Sequence, residues 1–492
     1  MLTAEELEDI IRVHSPWVAS NSTDHIGSGA PRHITQGLAE RIAHSTSDTP
    51  HLVIIGSRRV GKTMLMHHII RELHQSHGVP LRRMLYMTLD KPPLDGKSVV
   101  DIVDAFTEHS VTSSDNPLYL FLDEISSSKD WSKRLKNIYD ARHHYHVRIV
   151  SSSSSALELS RADEIGRWDS VYVFPRMFHE YVSGRASAAS IEPSISLFER
   201  IQRIPDGTAS SSGDIELLDK YIVTGGLYWQ VAQANDALDI DDPFAVANMH
   251  AQLGKMVARI TKQDIAASAG VRDPIKLSDM VYRLAFKLCS LISYNNLSND
   301  LSLARDTVRA YINHLNEALL TFTLRNSAVG GSREISKQPK IYFWDVAVPS
   351  AVRNRAPSVV LQPEHKSLAL ENIAAAALNR IALQAYAGVS VTHWRYDKDN
   401  EVDLIYKEGD HPALAFEIGL NPGHPLTGLE TLIEKNPEFK GHAYLVTPNS
   451  TTAHRDHIGR LPLTEFLKVA GQHADFKTQL FEQSSIAGGR RE

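Results

Sequence analysis

The chain has 492 residues, 42% hydrophobic and 22% charged, which is the composition of an ordinary folded protein and too long for a single core. Its formal net charge of −6 gives no global basic field, so any nucleic-acid contact needs a local patch. The single cysteine, Cys289, excludes an internal disulfide and fits a reducing cytoplasm, the compartment expected here.

The first residues, "MLTAEELEDIIRVH", are acidic and amphipathic, unlike a secretory signal, and residues 1–35 are expected to be a helical segment. Residues 36–185 carry the clearest chemistry. In "HLVIIGSRRVGKTMLMHHIIREL" an apolar β-branched strand, Leu52 to Ile55, runs into G-x-x-x-x-G-K-T, and a helical pattern follows. A loop built this way turns main-chain N–H groups toward phosphates, with the helix start adding partial positive charge. The expected nucleotide-binding residues are Gly56, Ser57, Arg58, Arg59, Val60, Gly61, Lys62, Thr63 and Met64. Lys62 would reach the β- and γ-phosphates of ATP, and the Thr63 hydroxyl would hold Mg²⁺.

"LYLFLDEI" then reads as a buried strand ending in Asp123-Glu124. Carboxylates at a strand's C-terminal end lie beside the phosphate loop of an open parallel sheet. Asp123 would hold the Mg²⁺ and Glu124 would polarise the attacking water, which together point to an ATPase. Strands over 83–90, 147–155 and 171–175 complete an α/β sheet. The serine run closing 147–155 offers a γ-phosphate sensor, Ser151 or Ser152, and "IGRW" offers Arg167 for the transition state, from this subunit or a neighbour in a homo-oligomer. His67-His68 reads as helix surface, and His143, His144 and His146 lack the spacing of a zinc site.

The ordered set "GSRRVGKT", "LFLDEI" with Trp131, the serine-rich strand end, "IGRW", "FPRMFHEY" and "VTGGLYWQV" resembles the AAA+ ATPases of bacteria and archaea (AAA_14-like) that carry a C-terminal domain of unknown function, DUF4143, with a restriction-endonuclease-like fold. The resemblance covers about 50–455. It implies a P-loop AAA+ (ASCE) parallel-sheet core, a helical lid, a winged helix and a C-terminal PD-(D/E)XK-like α/β domain. This chain departs from it at Ser57, where proline is usual, and in the serine run, where threonine-glycine is usual.

Residues 186–270 are expected to form the helical lid, after a Ser/Ala/Gly/Pro-rich stretch, with Gly225-Gly226 as a tight turn. Over 271–345 a short helix, a turn, a longer helix and a hairpin follow the winged-helix plan. This segment has ten Lys/Arg against seven Asp/Glu, an excess of three. Its candidate contacts to double-stranded DNA are Arg305, Arg309, His314, Arg333, Lys337 and Lys340. A winged helix also serves as a protein-contact module, so a nucleotide switch acting on a protein partner stands beside DNA binding or remodelling.

In 346–465 the helix "LALENIAAAALNRI" carries Glu371, and two short strands in "EVDLIYKEGDHPALAFEIG" carry Asp403 and Glu417. This set resembles the acidic residues of the restriction-endonuclease-like fold, which hold a divalent ion that activates water. The family has lysine where Gly419 stands, so the nuclease is expected to be catalytically degenerate. An ATP-regulated metal-dependent nuclease survives only if Lys407 or Lys435 replaces that lysine. No membrane span is expected, 466–492 is expected to be a C-terminal tail, and its end, "FEQSSIAGGRRE", reads as frayed.

Overall fold

Apolar, β-branched runs without polar alternation make strands that are buried on both faces, and the first half of the chain is built on them. The computed structural model describes residues 4–24, 26–27, 29–46, 49–89, 116–125, 146–154, 168–183, 195–227, 239–327, 338–384, 388–454 and 457–488, with Asp104, Lys133, Lys136, Asn137 and Asp140 as single positions. The chain divides into two compact units, Met1–Val173 with Gln479–Glu492, and Phe174–Thr478.

In the first unit, β1 (His51–Gly56), β2 (Met84–Thr88), β3 (Leu118–Asp123), β4 (Val147–Ser153) and β5 (Trp168–Val173) form one sheet in the order β2-β3-β4-β1-β5. All its pairings are parallel, and every residue of β1 to β4 is buried. One strand, β4, therefore separates the loop strand β1 from the acid strand β3, as in the P-loop AAA+ core. Helix α1 (Ala4–His14) contributes Ile10 to a core with Leu85, Leu120 and Ile149. Ser15 and Trp17 then tie the segment after it to β2, Ser15 Oγ to Tyr86 O at 2.8 Å and Trp17 Nε1 to Met84 O at 2.9 Å. On α2 (Lys62–His77) the histidine pair is not surface. His68 is buried, and the His67 ring packs edge-on against Tyr86 with centroids 4.7 Å apart.

The second unit has helices Pro274–Phe286, Tyr294–Leu301 and Arg305–Glu317, then an antiparallel pair, β6 (Thr321–Leu324) and β7 (Lys340–Phe343). Val308, Tyr311, Ile312 and Leu315 form the buried face of the third helix at helical spacing. An additional C-terminal α/β domain follows. The helix Pro363–Gln384 precedes a five-stranded sheet of β8 (Val389–Arg395), β9 (Glu401–Glu408), β10 (Leu414–Ile418), β11 (Ala443–Thr447) and β12 (Gly459–Pro462). Its order is β12-β11-β10-β9-β8, antiparallel from β8 to β10 and parallel from β10 to β12.

The expected frayed tail is instead a helix, Leu463–Gly488, and a boundary at 465/466 cuts through its first turn. Leu463, Phe466, Leu467, Ala470 and Ala474 are all buried, and their spacing of three or four is the reason. Among the described residues no helix is long and apolar enough to cross a membrane.

Three motifs met separately in the sequence join here as one knot. Gly225 ends the helix Ser212–Thr224 at φ 73°, and a Cβ on Gly226 would lie 2.0 Å from Arg176 O. The Gly226 and Leu227 N–H groups donate to Asp345 Oδ2 at 2.8 and 3.1 Å, and Ala347 N–H donates to Oδ1 at 2.9 Å. Burial outweighs these bonds and raises the Asp345 carboxyl from 3.8 to about 6. With the folded value above the unfolded one, its contribution to stability is complete below about pH 4 and is lost as pH rises through about 6. In urea unfolding the wild type should lose on the order of 2–3 kcal/mol relative to Asp345→Asn between about pH 4 and about pH 7. A pH-independent difference between the two proteins would contradict this.

Candidate nucleotide site and a C-terminal carboxylate cluster

Strand β1 delivers its loop to the C-terminal edge of the parallel sheet, where β3 delivers its acids. Gly56 can only be glycine, because a Cβ there would lie 2.7 Å from both Val173 O and Val60 Cγ1. Arg59 and Gly61 take left-handed φ values of 64° and 103°, which curls the loop into the start of α2. The result buries Lys62 to 4% exposure beneath the loop. Its Nζ donates to Gly56 O at 3.0 Å, Ser57 O at 3.3 Å and Ser154 Oγ at 2.8 Å, and lies 3.4 Å from Glu124 Oε1.

The acid pair is equally constrained. Thr63 Oγ1 donates to Asp123 Oδ2 at 2.5 Å and Tyr86 OH to the same oxygen at 2.8 Å, while Ser152 Oγ donates to Asp123 Oδ1. Glu124 sits just past the strand at φ 53°, its N–H donating to Ser152 Oγ at 3.0 Å. Its carboxylate is 2.7 and 2.9 Å from Ser154 Oγ. A hydroxyl and a carboxylate meeting at one point form a hard-oxygen donor set that fits Mg²⁺. Lys62, Ser154 and Glu124 form a continuous chain of contacts from the loop to the tip of β3.

The serine run offers Ser151 and Ser152 alike as the sensor, and the structure separates them. Ser151 Oγ is buried 3.5 Å from Leu52 O, on the side facing β1, away from the acid pair. Ser152 positions both acids. The serine touching Lys62 and Glu124 is Ser154, which the sequence reading missed. Strand alternation could have found it, because Ser154 shares a face with Ser152. Val60 is buried, Arg58 and Met64 are half-buried and Arg59 is exposed, all on the loop or the first turn of α2. Arg167, Arg333, Lys337, Trp131, His143 and His144 lie outside the described residues.

In the second unit Arg305 and Arg309 are exposed on the helix Arg305–Glu317, with the Arg309 guanidinium 5.5 Å from the Tyr294 ring centre. His314 is half-buried, its Nδ1 3.4 Å from Glu317 Oε2. Lys340 is not a surface cation. It is 3% exposed, and its Nζ lies 3.0 Å from Glu371 Oε1, 2.5 Å from Glu401 Oε1 and 3.3 Å from Asp403 Oδ1. The strand pattern of β7 explains the error, since its four residues are all buried although the first is charged. Burial alone would lower the Lys340 ammonium, but Glu371, Tyr342, Asp403 and Glu401 together hold it well above its usual range.

Glu371, Asp403 and Glu417 do converge, with Glu401 as an unforeseen fourth acid. Burial, then Asp403, raises Glu371 to about 7 and Glu417 well above the carboxylate range. Tyr342 OH donates to Glu371 Oε1 at 2.8 Å, and Ile418 N–H to Asp403 Oδ2 at 3.0 Å. Glu417 Oε1 is 3.1 Å from His424 Nε2, and its Oε2 is buried without a partner among the described residues. Neither replacement lysine reaches the cluster. Lys407 Nζ donates to His411 O at 2.6 Å, and Lys435 pairs with Glu434 at 3.3 Å and lies over Tyr396.

Residues 48–182 match the AAA domain family (AAA_14), and residues 215–358 match a domain of unknown function (DUF8612). The second match corrects the expectation of DUF4143. A different family is found, and it lies ahead of the C-terminal α/β domain. The chain is 25% identical to the uncharacterized protein MJ1637 of Methanocaldococcus jannaschii over 339 residues, 67% of this chain and 68% of that one. It is 23% identical to an uncharacterized protein of Haemophilus influenzae over 378 residues, 75% of this chain and 83% of that one. Among solved structures it is similar to the Aeropyrum pernix ORC1 protein in complex with DNA, at TM-score 0.30 and 13% identity, covering 68% of this chain and 95% of that one. It is also similar to AMPPCP-bound DnaA from Aquifex aeolicus, at TM-score 0.27 and 12% identity, covering 57% and 86%.

If Ser154 relays between Lys62 and Glu124, Ser154→Ala should lower ATP turnover by roughly ten- to a hundredfold, whereas Ser151→Ala should stay near wild type. Steady-state phosphate release distinguishes them, and equal effects of the two substitutions would remove the distinction.

Proposed function

We propose that this chain is a Mg²⁺-dependent ATPase of the AAA+ type whose nucleotide cycle drives a conformational change in the rest of the molecule. The observation carrying this is the convergence of Lys62, Thr63, Asp123, Glu124 and Ser154 at one edge of a parallel sheet, within the 2.5 to 3.4 Å contacts given above. Loop N–H groups and the Lys62 ammonium bind the β- and γ-phosphates and stabilise the charge that develops on the transferred group. Glu124 orients the attacking water and accepts its proton, with the Ser154 hydroxyl fixing the carboxylate's direction. Thr63 and Asp123 would hold Mg²⁺, which when bound would supply electrostatic screening of the phosphate oxygens. Tyr86 and Ser152 keep Asp123 from rotating. The single cysteine supports assignment to a reducing cytoplasm.

For the output we favour DNA. The helix Arg305–Glu317 exposes Arg305 and Arg309 one turn apart, in the winged-helix order of three helices and a hairpin. A second reading, a switch acting on a protein partner, rests on the neighbouring helix Pro274–Phe286, where Ile275, Tyr282 and Phe286 are 64%, 44% and 51% exposed along one face.

ATP turnover should fall by at least about a hundredfold in Lys62→Ala and Glu124→Gln, and DNA should stimulate the wild type. Gel shifts should weaken when Arg305 and Arg309 both become alanine and should weaken further as salt rises. Turnover that is indifferent to Lys62→Ala would remove the ATPase reading. Turnover that is intact while DNA binding is absent would leave the protein-partner reading.

A further inference from the structure

The acidic residues of the C-terminal domain resemble a restriction-endonuclease-like set, which implies a divalent cation among these donors. They do not fit, because the centre of the cluster is taken. Lys340 Nζ is within 3.3 Å of carboxylate oxygens from Glu371, Glu401 and Asp403, and an ammonium so placed occupies the volume and neutralises the charge a metal ion would. We propose that Lys340 is the resident cation of this cluster, excluding divalent metal and clasping strand β7 to the helix Pro363–Gln384 and strand β9.

Two further observations support the assignment. The lysine's backbone is pinned. Lys340 pairs with Leu324 across the hairpin and bridges to Leu291, so the side chain emerges from a fixed strand rather than from a loop free to withdraw. The usual lysine position is also closed. A Cβ at Gly419 would lie 2.7 Å from His424 Cβ and Cγ, so His424 fills that space and turns its imidazole onto Glu417. The cluster is thus supplied with cations from elsewhere in the chain, Lys340 at its centre and Arg395 on the outer oxygen of Glu401 at 3.3 Å, while His424 Nε2 lies 3.1 Å from Glu417 Oε1. A lysine 31 residues ahead of Glu371 in the chain joins two parts of the second unit that the sequence treats as separate. The module's role is therefore mechanical, since it holds the hairpin at a fixed place.

The test is Mn²⁺ binding to full-length protein without nucleotide, by calorimetry, for wild type, Asp403→Asn and Lys340→Met. The Asp403→Asn comparison assigns any binding to this cluster and not to the nucleotide site. Wild type is expected to show no Asp403-dependent binding up to the low-millimolar range, and Lys340→Met, similar in length but uncharged, to gain at least tenfold in Mn²⁺ affinity. Asp403-dependent binding by the wild type would overturn the proposal. A folded Lys340→Met protein with no gain would overturn it as well. Should Lys340→Met fail to fold, the wild-type and Asp403→Asn pair decides alone.

Discussion

A lysine ammonium taken out of water must be met by fixed oxygens, and this molecule depends on that requirement. Lys62, 4% exposed, is met by two loop carbonyls, a serine hydroxyl and the Glu124 carboxylate. Those partners bind the phosphate loop to the acid pair across the intervening strand β4. In the ATPase proposed above, phosphate oxygens would replace the main-chain carbonyls and the hydroxyl. Lys340 meets the same requirement with three carboxylates from two separate elements, an arrangement with much less to gain from exchange. One buried lysine is poised for a ligand and the other is satisfied within the chain.

The position of the acid pair follows from sheet order. With β4 between β1 and β3, Asp123 and Glu124 stand one strand away from the loop, and the polar end of β4 fills the gap. Ser152 and Ser154, two residues apart on one face, therefore separate the tasks of holding Asp123 and linking Lys62 to Glu124. The strain at Glu124, a non-glycine residue at φ 53°, is localised where the carboxylate has to turn back toward the loop.

The phosphate loop, the acid pair and the buried strands were legible in the sequence because each rests on local spacing or on runs of apolar residues, whereas Glu371, Asp403 and Glu417 stood out only through a family resemblance. What was not legible depended on partners distant in the chain. Lys340 reads as an ordinary surface lysine until β7 is paired and packed. Tyr86 reads as one more strand aromatic, although its hydroxyl reaches Asp123. Asp345, Gly226 and Arg176 lie in three motifs that meet only in the fold. The C-terminal helix was misread because the polar composition of its last residues masked the apolar spacing of its first turns.

The central claim is that the Lys62 loop and the Asp123-Glu124 tip form one triphosphate site. Calorimetric titration of a non-hydrolysable ATP analogue with Mg²⁺ tests it most directly. The account predicts micromolar binding by the wild type and at least tenfold weaker binding by a folded Lys62→Ala protein. Absence of binding by the folded wild type, or equal binding by both, would contradict it.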